Sequence, residues 1–295
     1  MKKSYLLSLF IKETYYFLPF LMTIKNRTLK IILDLFFICL LSPMLLYRYF
    51  IFTVPYIELV LTSVCNLKCK GCSNLMHMYE KPAGVDIQTL KGSVDKLLSV
   101  SGRISLVKLI GGEPFVYKQL PDIVNYIQDN KKIKRIEVIT NGSIVPKDEI
   151  LKCLKHKKIT VMISNYPDIN NSVFIDALKK ENIKYKLVCF DSWLDYGDMQ
   201  KRNYDINILT RSFRVCSASE CKSLYNGLFF NCPRAAHGNY LGLVKNDESD
   251  YIDIINIPDI KLKSELKKVY SAEYTNACDH CNPEWEREGI EQGKQ

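Results

Sequence analysis

Short apolar runs alternate with amphipathic stretches from residue 55 to about residue 210. Runs such as YIELVLTSV (56–64) and KITVMIS (158–164) predict buried strands, and DIQTLKGSVDKLLSV (86–100) predicts a helix. Strand followed by helix recurs about five times, which predicts a parallel sheet with right-handed crossovers. Such sheets bind ligands at the carboxyl ends of their strands, so the polar residues at those ends are the candidate site residues.

The two ends of the chain depart from this alternation. Residues 1–54 are rich in Leu, Ile and Phe, but Asp34 and Pro43 interrupt the longest apolar run. They predict a hydrophobic helical extension that packs on the body or lies in a bilayer interface, not a membrane span. After about residue 210 the sequence becomes turn-rich. We therefore predict three regions, at 1–54, 55–210 and 211–295.

Composition and charge narrow the class of protein. Hydrophobic residues make up 47% and charged residues 25% of the 295 positions, as in ordinary globular proteins. Of the net charge of +9, residues 1–52 contribute +5, from seven Lys/Arg against two Asp/Glu. The rest is only mildly basic, so no nucleic-acid partner is expected. Eleven cysteines without a signal-peptide cleavage site predict a reducing, cytoplasmic setting. Peripheral membrane contact would involve residues 1–54.

Three cysteines follow the first predicted strand with the spacing C-x3-C-x2-C: Cys65, Cys69 and Cys72. Three thiolates on one short loop can hold an iron–sulfur cube and leave its fourth iron without a protein ligand. An open coordination position is typical of a catalytic metal centre. A zinc knuckle completed by a distant residue, with the nearby His77 as a possible fourth ligand, is the structural alternative.

Polar clusters also follow the next strands. The second strand ends in Gly111, Gly112, Glu113 and Pro114, where glycines permit close backbone approach and carbonyl or carboxylate oxygens can accept from an ammonium group. Asn141 follows the third strand, and Ser164 and Asn165 follow the fourth. Their short polar side chains suit a ribose, although Asn and Ser also cap turns.

The cysteine loop and the GGEP segment together resemble those of the radical S-adenosylmethionine (SAM) enzymes, over residues 55–210. The resemblance implies a partial (β/α)6 barrel in which Cys65, Cys69 and Cys72 bind a [4Fe-4S] cluster. Its fourth iron would chelate the amino and carboxylate groups of SAM. The GGEP segment would hold the methionine amino group, and the polar strand ends would hold the ribose. The chain departs from the family at Gly71, where an aromatic residue is frequent.

Five later cysteines resemble the ligands of the SPASM and twitch domains, which bind auxiliary [4Fe-4S] clusters in this superfamily. The spacing from Cys216 through Gly227 to Cys232, and the closing pair Cys278 and Cys281, carry this resemblance. Spacing favours Cys216, Cys232, Cys278 and Cys281 as the ligands. Cys221 could replace one of them, contact substrate or stay free.

The resemblance implies reductive cleavage of SAM and hydrogen abstraction from a substrate by the 5′-deoxyadenosyl radical. A one-electron donor of the flavodoxin or ferredoxin type would reduce the first cluster. A second cluster ligated only by cysteines has no open iron, which favours electron transfer and a two-electron oxidation of a small or glycan-type molecule. The alternatives are a peptide- or protein-modifying maturase and a non-catalytic iron–sulfur or zinc module. Trp193, Asp195 and Tyr196 follow the fifth strand as candidates for the cavity wall; the catalytic residues stay unassigned.

Overall fold

The computed structural model describes residues 52–245, 247, 249–293 and 295. Residues 53–295 form one compact unit. All but the last three residues of the predicted extension at 1–54 lie outside the described residues, so that extension stays a prediction.

Within the described ranges the strands are short. They are β1 Thr53–Val54, β2 Ile57–Val60, β3 Arg103–Ile104, β4 Val107–Ile110, β5 Ile136–Thr140, β6 Ile159–Ser164, β7 Tyr185–Val188, β8 Trp193–Leu194, β9 Ser223–Tyr225, β10 Leu228–Phe230, β11 Tyr251–Asp253 and β12 Gly289–Ile290. The main sheet has the order β11-β10-β9-β2-β4-β5-β6-β7. Strands β9 to β7 in that order pair in parallel, and β10 and β11 are antiparallel additions.

Helices lie between the strands, and the sequence predicts the first four of them but not the three after residue 205. They are α1 Ile87–Val100, α2 Leu120–Gln128, α3 Asp148–Cys153, α4 Ser172–Lys180, α5 Ile206–Val215, α6 Pro233–Tyr240 and α7 Asp259–Tyr270. Helix α1 begins where the Asp86 carboxylate accepts from the backbone N–H of Thr89, and it buries Leu90, Val94 and Leu97. None of the helices in the described part of the chain is long and apolar enough to cross a membrane.

The two faces of the main sheet differ in polarity. Leu109, Val138 and Val161 are fully buried, whereas Lys108 and Glu137, which alternate with them, are half-buried. The apolar face of the sheet therefore forms the core. The predicted fold class, a mixed α/β barrel-like fold with a largely parallel sheet, is confirmed.

The sixth parallel strand has an origin that the sequence analysis did not foresee. Strand β9 pairs with β2 through Glu58–Ser223 and Leu59–Leu224, so residues beyond 210 extend the barrel sheet directly. A three-residue strand is too short for hydrophobic alternation to reveal it. The division of the core at residue 210 stays a prediction.

Candidate active site

The three thiols of the C-x3-C-x2-C loop line one cavity of about 390 Å³. This cavity, the main cavity, lies at the carboxyl ends of β4, β5 and β6, and Ile110, Thr140 and Ser164 contribute to its wall. Burial raises the pKa of Cys65 to about 11 and also raises the pKa values of Cys69 and Cys72. Thiolates in this loop therefore need a metal to stabilise them at neutral pH.

The three thiols share a cavity without converging on one point. In the described ranges, no three His, Cys, Asp or Glu side chains surround a position for a single metal ion. A [4Fe-4S] cube binds each cysteine through a different iron, so its ligands need to face a common space and not a common atom. His77, one possible fourth ligand of the zinc alternative, is exposed and does not line the main cavity. The donor set in this loop fits a cluster.

The glycine pair after β4 packs against the start of the cysteine loop. A Cβ on Gly111 would lie 2.4 Å from the Thr62 carbonyl oxygen, and one on Gly112 would lie 2.1 Å from the Val64 carbonyl oxygen. The N–H of Gly112 donates to Thr62 O at 2.8 Å, and the N–H of Glu113 donates to Val64 O at 2.9 Å. Both glycines line the main cavity, and their lack of side chains also lets this backbone ladder continue beyond the strands.

Glu113 is fully buried between strand ends. Its carboxylate accepts from the Thr140 hydroxyl at 2.8 Å, from the N–H of Asn141 at 2.9 Å and from the N–H of Phe115 at 3.1 Å. Burial raises its pKa to about 7, against the lowering effect of these donors. Glu113 and the buried Pro114 do not line the main cavity, so the contacts give Glu113 a bracing role, and its contact with a cofactor stays a prediction.

The polar residues after β5 and β6 differ in access to the main cavity. Asn141 lines it and donates through Nδ2 to the Asn66 side chain at 3.0 Å, which ties the strand end to the cysteine loop. Ser164 also lines the cavity. Asn165 does not, because its N–H donates to Val188 O at 2.9 Å and its amide oxygen accepts from Asn171 at 3.0 Å. Two of the three predicted ribose contacts therefore face the cavity.

Two aromatic side chains in the cavity wall lie next to the cysteine loop. Trp193 meets Tyr166 edge to face, with 5.3 Å between ring centres, and both line the main cavity. A Cβ on Gly71 would lie 2.3 Å from Ile290 Cδ1 and 3.3 Å from the Trp193 ring. The space beside Gly71 is therefore filled from β8 and β12. Tyr196 also lines the cavity as predicted, whereas Asp195 does not and instead accepts from the N–H of Gly197 at 2.8 Å.

Four of the five later cysteines lie together in a second pocket. Its lining includes Cys216, Cys232, Cys278 and Cys281, and burial, then the neighbouring thiols, raises the pKa values of Cys232 and Cys278. The space between them is about 20 Å³, about the volume that one water molecule needs. The four side chains would therefore have to move apart to hold a [4Fe-4S] cube. We call these four residues the four-cysteine pocket.

Cys221 lies away from the four-cysteine pocket, beside Tyr56 and Glu58. Its pKa rises to about 12, first through burial and then through the nearby Glu58 carboxylate. Tyr56 donates a hydrogen bond to the same carboxylate. The ten cysteines in the described ranges are all free thiols.

Two arginines and a tyrosine complete the four-cysteine pocket, and sequence reasoning missed both arginines. Arg234 Nε donates to Cys281 Sγ at 3.2 Å, and Arg287 Nη1 donates to Cys216 Sγ at 3.4 Å. Tyr196 lies in the wall of this pocket and of the main cavity. The arginines carry no motif that links them to cysteines 47 and 71 positions away.

The family comparison agrees with this geometry. Residues 59–189 match the family model of the radical SAM superfamily, so this chain carries a radical SAM domain. The matched range runs from β2 to the residue after β7 and includes the three-cysteine loop.

Two relatives with known names match part of this chain. The GTP 3′,8-cyclase of Alkaliphilus metalliredigens is 29% identical over 116 residues, which is 38% of this chain and 36% of that protein. The antilisterial bacteriocin subtilosin biosynthesis protein AlbA of Bacillus subtilis is 31% identical over 129 residues, which is 44% of this chain and 28% of that protein. The matches thus span about a third of these relatives.

The fold is also similar to that of BtrN, whose crystal structure is a complex with AdoMet and 2-DOIA. The TM-score is 0.50 at 16% identity, and the match covers 82% of this chain and 96% of BtrN. This likeness extends the fold comparison beyond the domain that the family model matches.

Proposed function

We propose that the protein reductively cleaves SAM at a [4Fe-4S] cluster held by Cys65, Cys69 and Cys72. The observation that carries this proposal is the single cavity of about 390 Å³ that joins the three thiols to the glycine pair and the polar strand ends. When bound, the cluster and SAM would supply a 5′-deoxyadenosyl radical that removes hydrogen from a substrate C–H bond. The chain supplies binding, orientation and exclusion of water.

Individual residues would divide this work. Gly111 and Gly112 leave backbone atoms accessible at the β4 end, where carbonyl oxygens would accept from the ammonium group of SAM. Asn141 and Ser164 offer donors and acceptors for ribose hydroxyls. Trp193 and Tyr166 present the aromatic surface suited to an adenine ring, in place of the aromatic residue absent at position 71.

One anaerobic preparation tests the proposed activity. The protein is reconstituted with iron and sulfide, both are counted, and dithionite and SAM are added. We expect 5′-deoxyadenosine and methionine in equal amounts, and their absence from a preparation with a full iron content contradicts the proposal. Zinc without iron would support a zinc module instead.

We further propose that Cys216, Cys232, Cys278 and Cys281 hold a second [4Fe-4S] cluster. Their shared pocket and the two arginine donors to their sulfurs support this assignment. Replacing Cys65, Cys69 and Cys72 with Ala should leave about four irons per chain. Cys278→Ser should lose the second cluster, whereas Cys221→Ser, the matched control, should retain both. Loss of all iron in the triple variant contradicts the two-cluster assignment.

The reaction that follows from a second cluster is a two-electron oxidation of a small or glycan-type molecule. The cluster would accept the second electron, since full cysteine ligation leaves no iron open for substrate. Peptide modification is the second candidate, because the similar AlbA protein is named for bacteriocin biosynthesis.

Deuterium transfer separates these two substrate classes. A panel of C-deuterated sugars and a panel of deuterated Cys-containing peptides are incubated with the reduced enzyme and SAM. Deuterium in 5′-deoxyadenosine from a sugar supports the first class, and deuterium only from peptides supports the second.

The setting we propose is the cytoplasm, with a flavodoxin- or ferredoxin-type electron donor. The free thiols of the described ranges and the proposed clusters both need a reducing compartment. No nucleic acid is expected as a partner.

A further inference from the structure

Two buried arginines donate hydrogen bonds into the four-cysteine pocket. Arg234, on α6, is 4% exposed, and besides Cys281 Sγ it donates to the carbonyl oxygen of Gly197 at 2.8 Å. The side chain of Arg287 is 1% exposed, and besides Cys216 Sγ it donates to the carbonyl oxygen of Asn282 at 2.9 Å. Each guanidinium thus reaches a different sulfur of the pocket.

The charge of Arg234 requires an anion nearby. A fully buried guanidinium is ordinarily paired, because an unpaired charge inside a protein is costly. Arg287 pairs with Glu284. Among the described residues no carboxylate lies within 4.0 Å of the Arg234 guanidinium, whose closest anionic candidate is the Cys281 sulfur. A buried thiolate persists when metal holds it, so this arginine points to a permanently anionic group in the pocket.

The ring of Tyr196 contacts both guanidinium groups. The Arg287 Cζ lies 4.2 Å and the Arg234 Cζ 5.6 Å from the centre of its ring, distances typical of cation–π contacts. Its hydroxyl lies 3.0 Å from Ser217 Oγ, on the side of the main cavity. Tyr196 therefore forms the wall between the place of proposed chemistry and the four-cysteine pocket.

We propose that Arg234 and Arg287 set the reduction potential of the second cluster, and that Tyr196 positions them. This inference rests on the second cluster of the proposed function. Reduction adds one negative charge to a cluster, and buried cations that donate to its sulfurs favour that charge. The two arginines therefore raise the potential and make the cluster an effective electron acceptor.

The electrons and protons balance when the second cluster acts as the electron acceptor. A substrate radical formed in the main cavity gives one electron to the second cluster and one proton to a base or water, and becomes the two-electron-oxidised product. The reduced cluster returns the electron to an external one-electron carrier of the flavodoxin or ferredoxin class.

The test is a redox titration followed by electron paramagnetic resonance. The full chain carries Cys65→Ala, Cys69→Ala and Cys72→Ala, so that only the second cluster gives a signal. In this background Arg234→Gln and Arg287→Gln should each lower the midpoint potential. We expect at least a tenfold fall in the reduced-to-oxidised ratio at a fixed potential, which is about 59 mV for one electron. The lysine variants should shift less, because they keep the charge and lose the forked donor geometry.

A matched control comes from the same region of the chain. Arg211, on α5, is exposed and stacks on Trp285 with its Cζ 4.4 Å from the ring centre. Arg211→Gln should leave the potential unchanged. Tyr196→Leu keeps both arginines and should lower the potential by less than either glutamine variant.

The outcomes separate the inference from the proposed function. If the variant with Cys65, Cys69 and Cys72 replaced by Ala holds no iron, the second cluster itself is refuted. If that cluster is present, unchanged or more positive potentials in the glutamine variants overturn the role of the arginines. Where a glutamine variant loses iron, the lysine variants decide, and a potential above that of the wild type overturns the inference.

Discussion

At the scale of one residue, the close backbone contact after β4 means that a side chain at Gly112 should disturb the cysteine loop. Gly112→Ala places a Cβ 2.1 Å from Val64 O, an atom of the backbone that cannot turn aside. We expect a loss of about 3 kcal/mol in the free energy of unfolding, because overpacking here moves the cysteine loop. Iron content should fall with it. Urea unfolding and an iron assay measure both.

Gly92 is the matched control for this substitution. It lies in α1, and among the described residues outside that helix a Cβ there meets only Ile255 Cδ1, at 3.6 Å. Gly92→Ala should stabilise the protein by about 0.5–1 kcal/mol, since alanine restricts the unfolded chain more than glycine does. Equal effects at both positions would contradict the packing account of Gly112.

Glu113 and His237 give stability opposite dependences on pH. Burial raises the pKa of Glu113 from 4.5 to about 7, so its contribution is complete below pH 4.5 and is lost as pH rises to 7. Burial lowers the pKa of His237 from 6.5 to about 3, so its contribution is complete above pH 6.5 and is lost as pH falls. The two slopes oppose each other between pH 4.5 and 6.5.

In Glu113→Gln, the pH dependence of the free energy of unfolding should show the contribution of His237 alone. Without the carboxyl group, the free energy of unfolding should rise with pH from 4.5 to 6.5, where the wild type changes little. The Glu113 contribution across its window is about 3 kcal/mol, from the free-energy value of each pKa unit. Urea midpoints at three pH values measure the slope. The exposed Glu149→Gln should behave as the wild type, and parallel slopes for both variants contradict the assignment.

At the scale of one element, helix α5 ends next to Cys216 and so positions this residue in the four-cysteine pocket. The helix begins after Asp205, whose Oδ1 accepts from the backbone N–H groups of Asn207 at 2.8 Å and Ile208 at 3.2 Å. Asp205→Ala should cost about 1 kcal/mol, because these N–H groups lose their acceptor. Asp205→Asn should retain most of the stability. Thermal unfolding of the two variants side by side shows whether capping or charge is responsible.

Elements with a strong local pattern could be predicted from the sequence. The apolar alternation of β5 and β6 and the amphipathic pattern of α1 locate each element to within a few residues. The spacing of Cys65, Cys69 and Cys72 likewise places them on one loop, because contacts near in sequence leave a local signature. These features needed no knowledge of distant contacts.

Features built from distant contacts could not be predicted in this way. The pairing of Ser223 with Glu58, and the contact of Arg234 with Cys281, join residues with no shared period or motif. The same holds for Ile290, which fills the space beside Gly71. Their positions depend on how the whole chain packs, which periodicity does not report.

At the scale of the whole molecule, residues beyond 210 are integrated with the barrel. Lys96 Nζ, on α1, donates to Asp259 Oδ1 at 2.7 Å, and the Tyr270 hydroxyl donates to Tyr56 O at 3.1 Å. Together with the β9–β2 pairing, these contacts predict that residues 53–295 unfold in one cooperative transition. Amide hydrogen exchange should give β2 and β9 the same opening free energy. Early exchange of 211–295 with an intact barrel would show two independent domains.

The β9–β2 pairing also has a consequence for synthesis of the chain. Strand β2 ends at Val60 and β9 begins at Ser223, so 162 residues lie between them. At about 5–20 residues per second, a ribosome needs roughly 8–30 s to make that stretch. Throughout this interval one edge of β2 has unpaired backbone groups, and such edges invite association with other chains. The nascent chain is therefore more exposed to association through that edge than the finished sheet is.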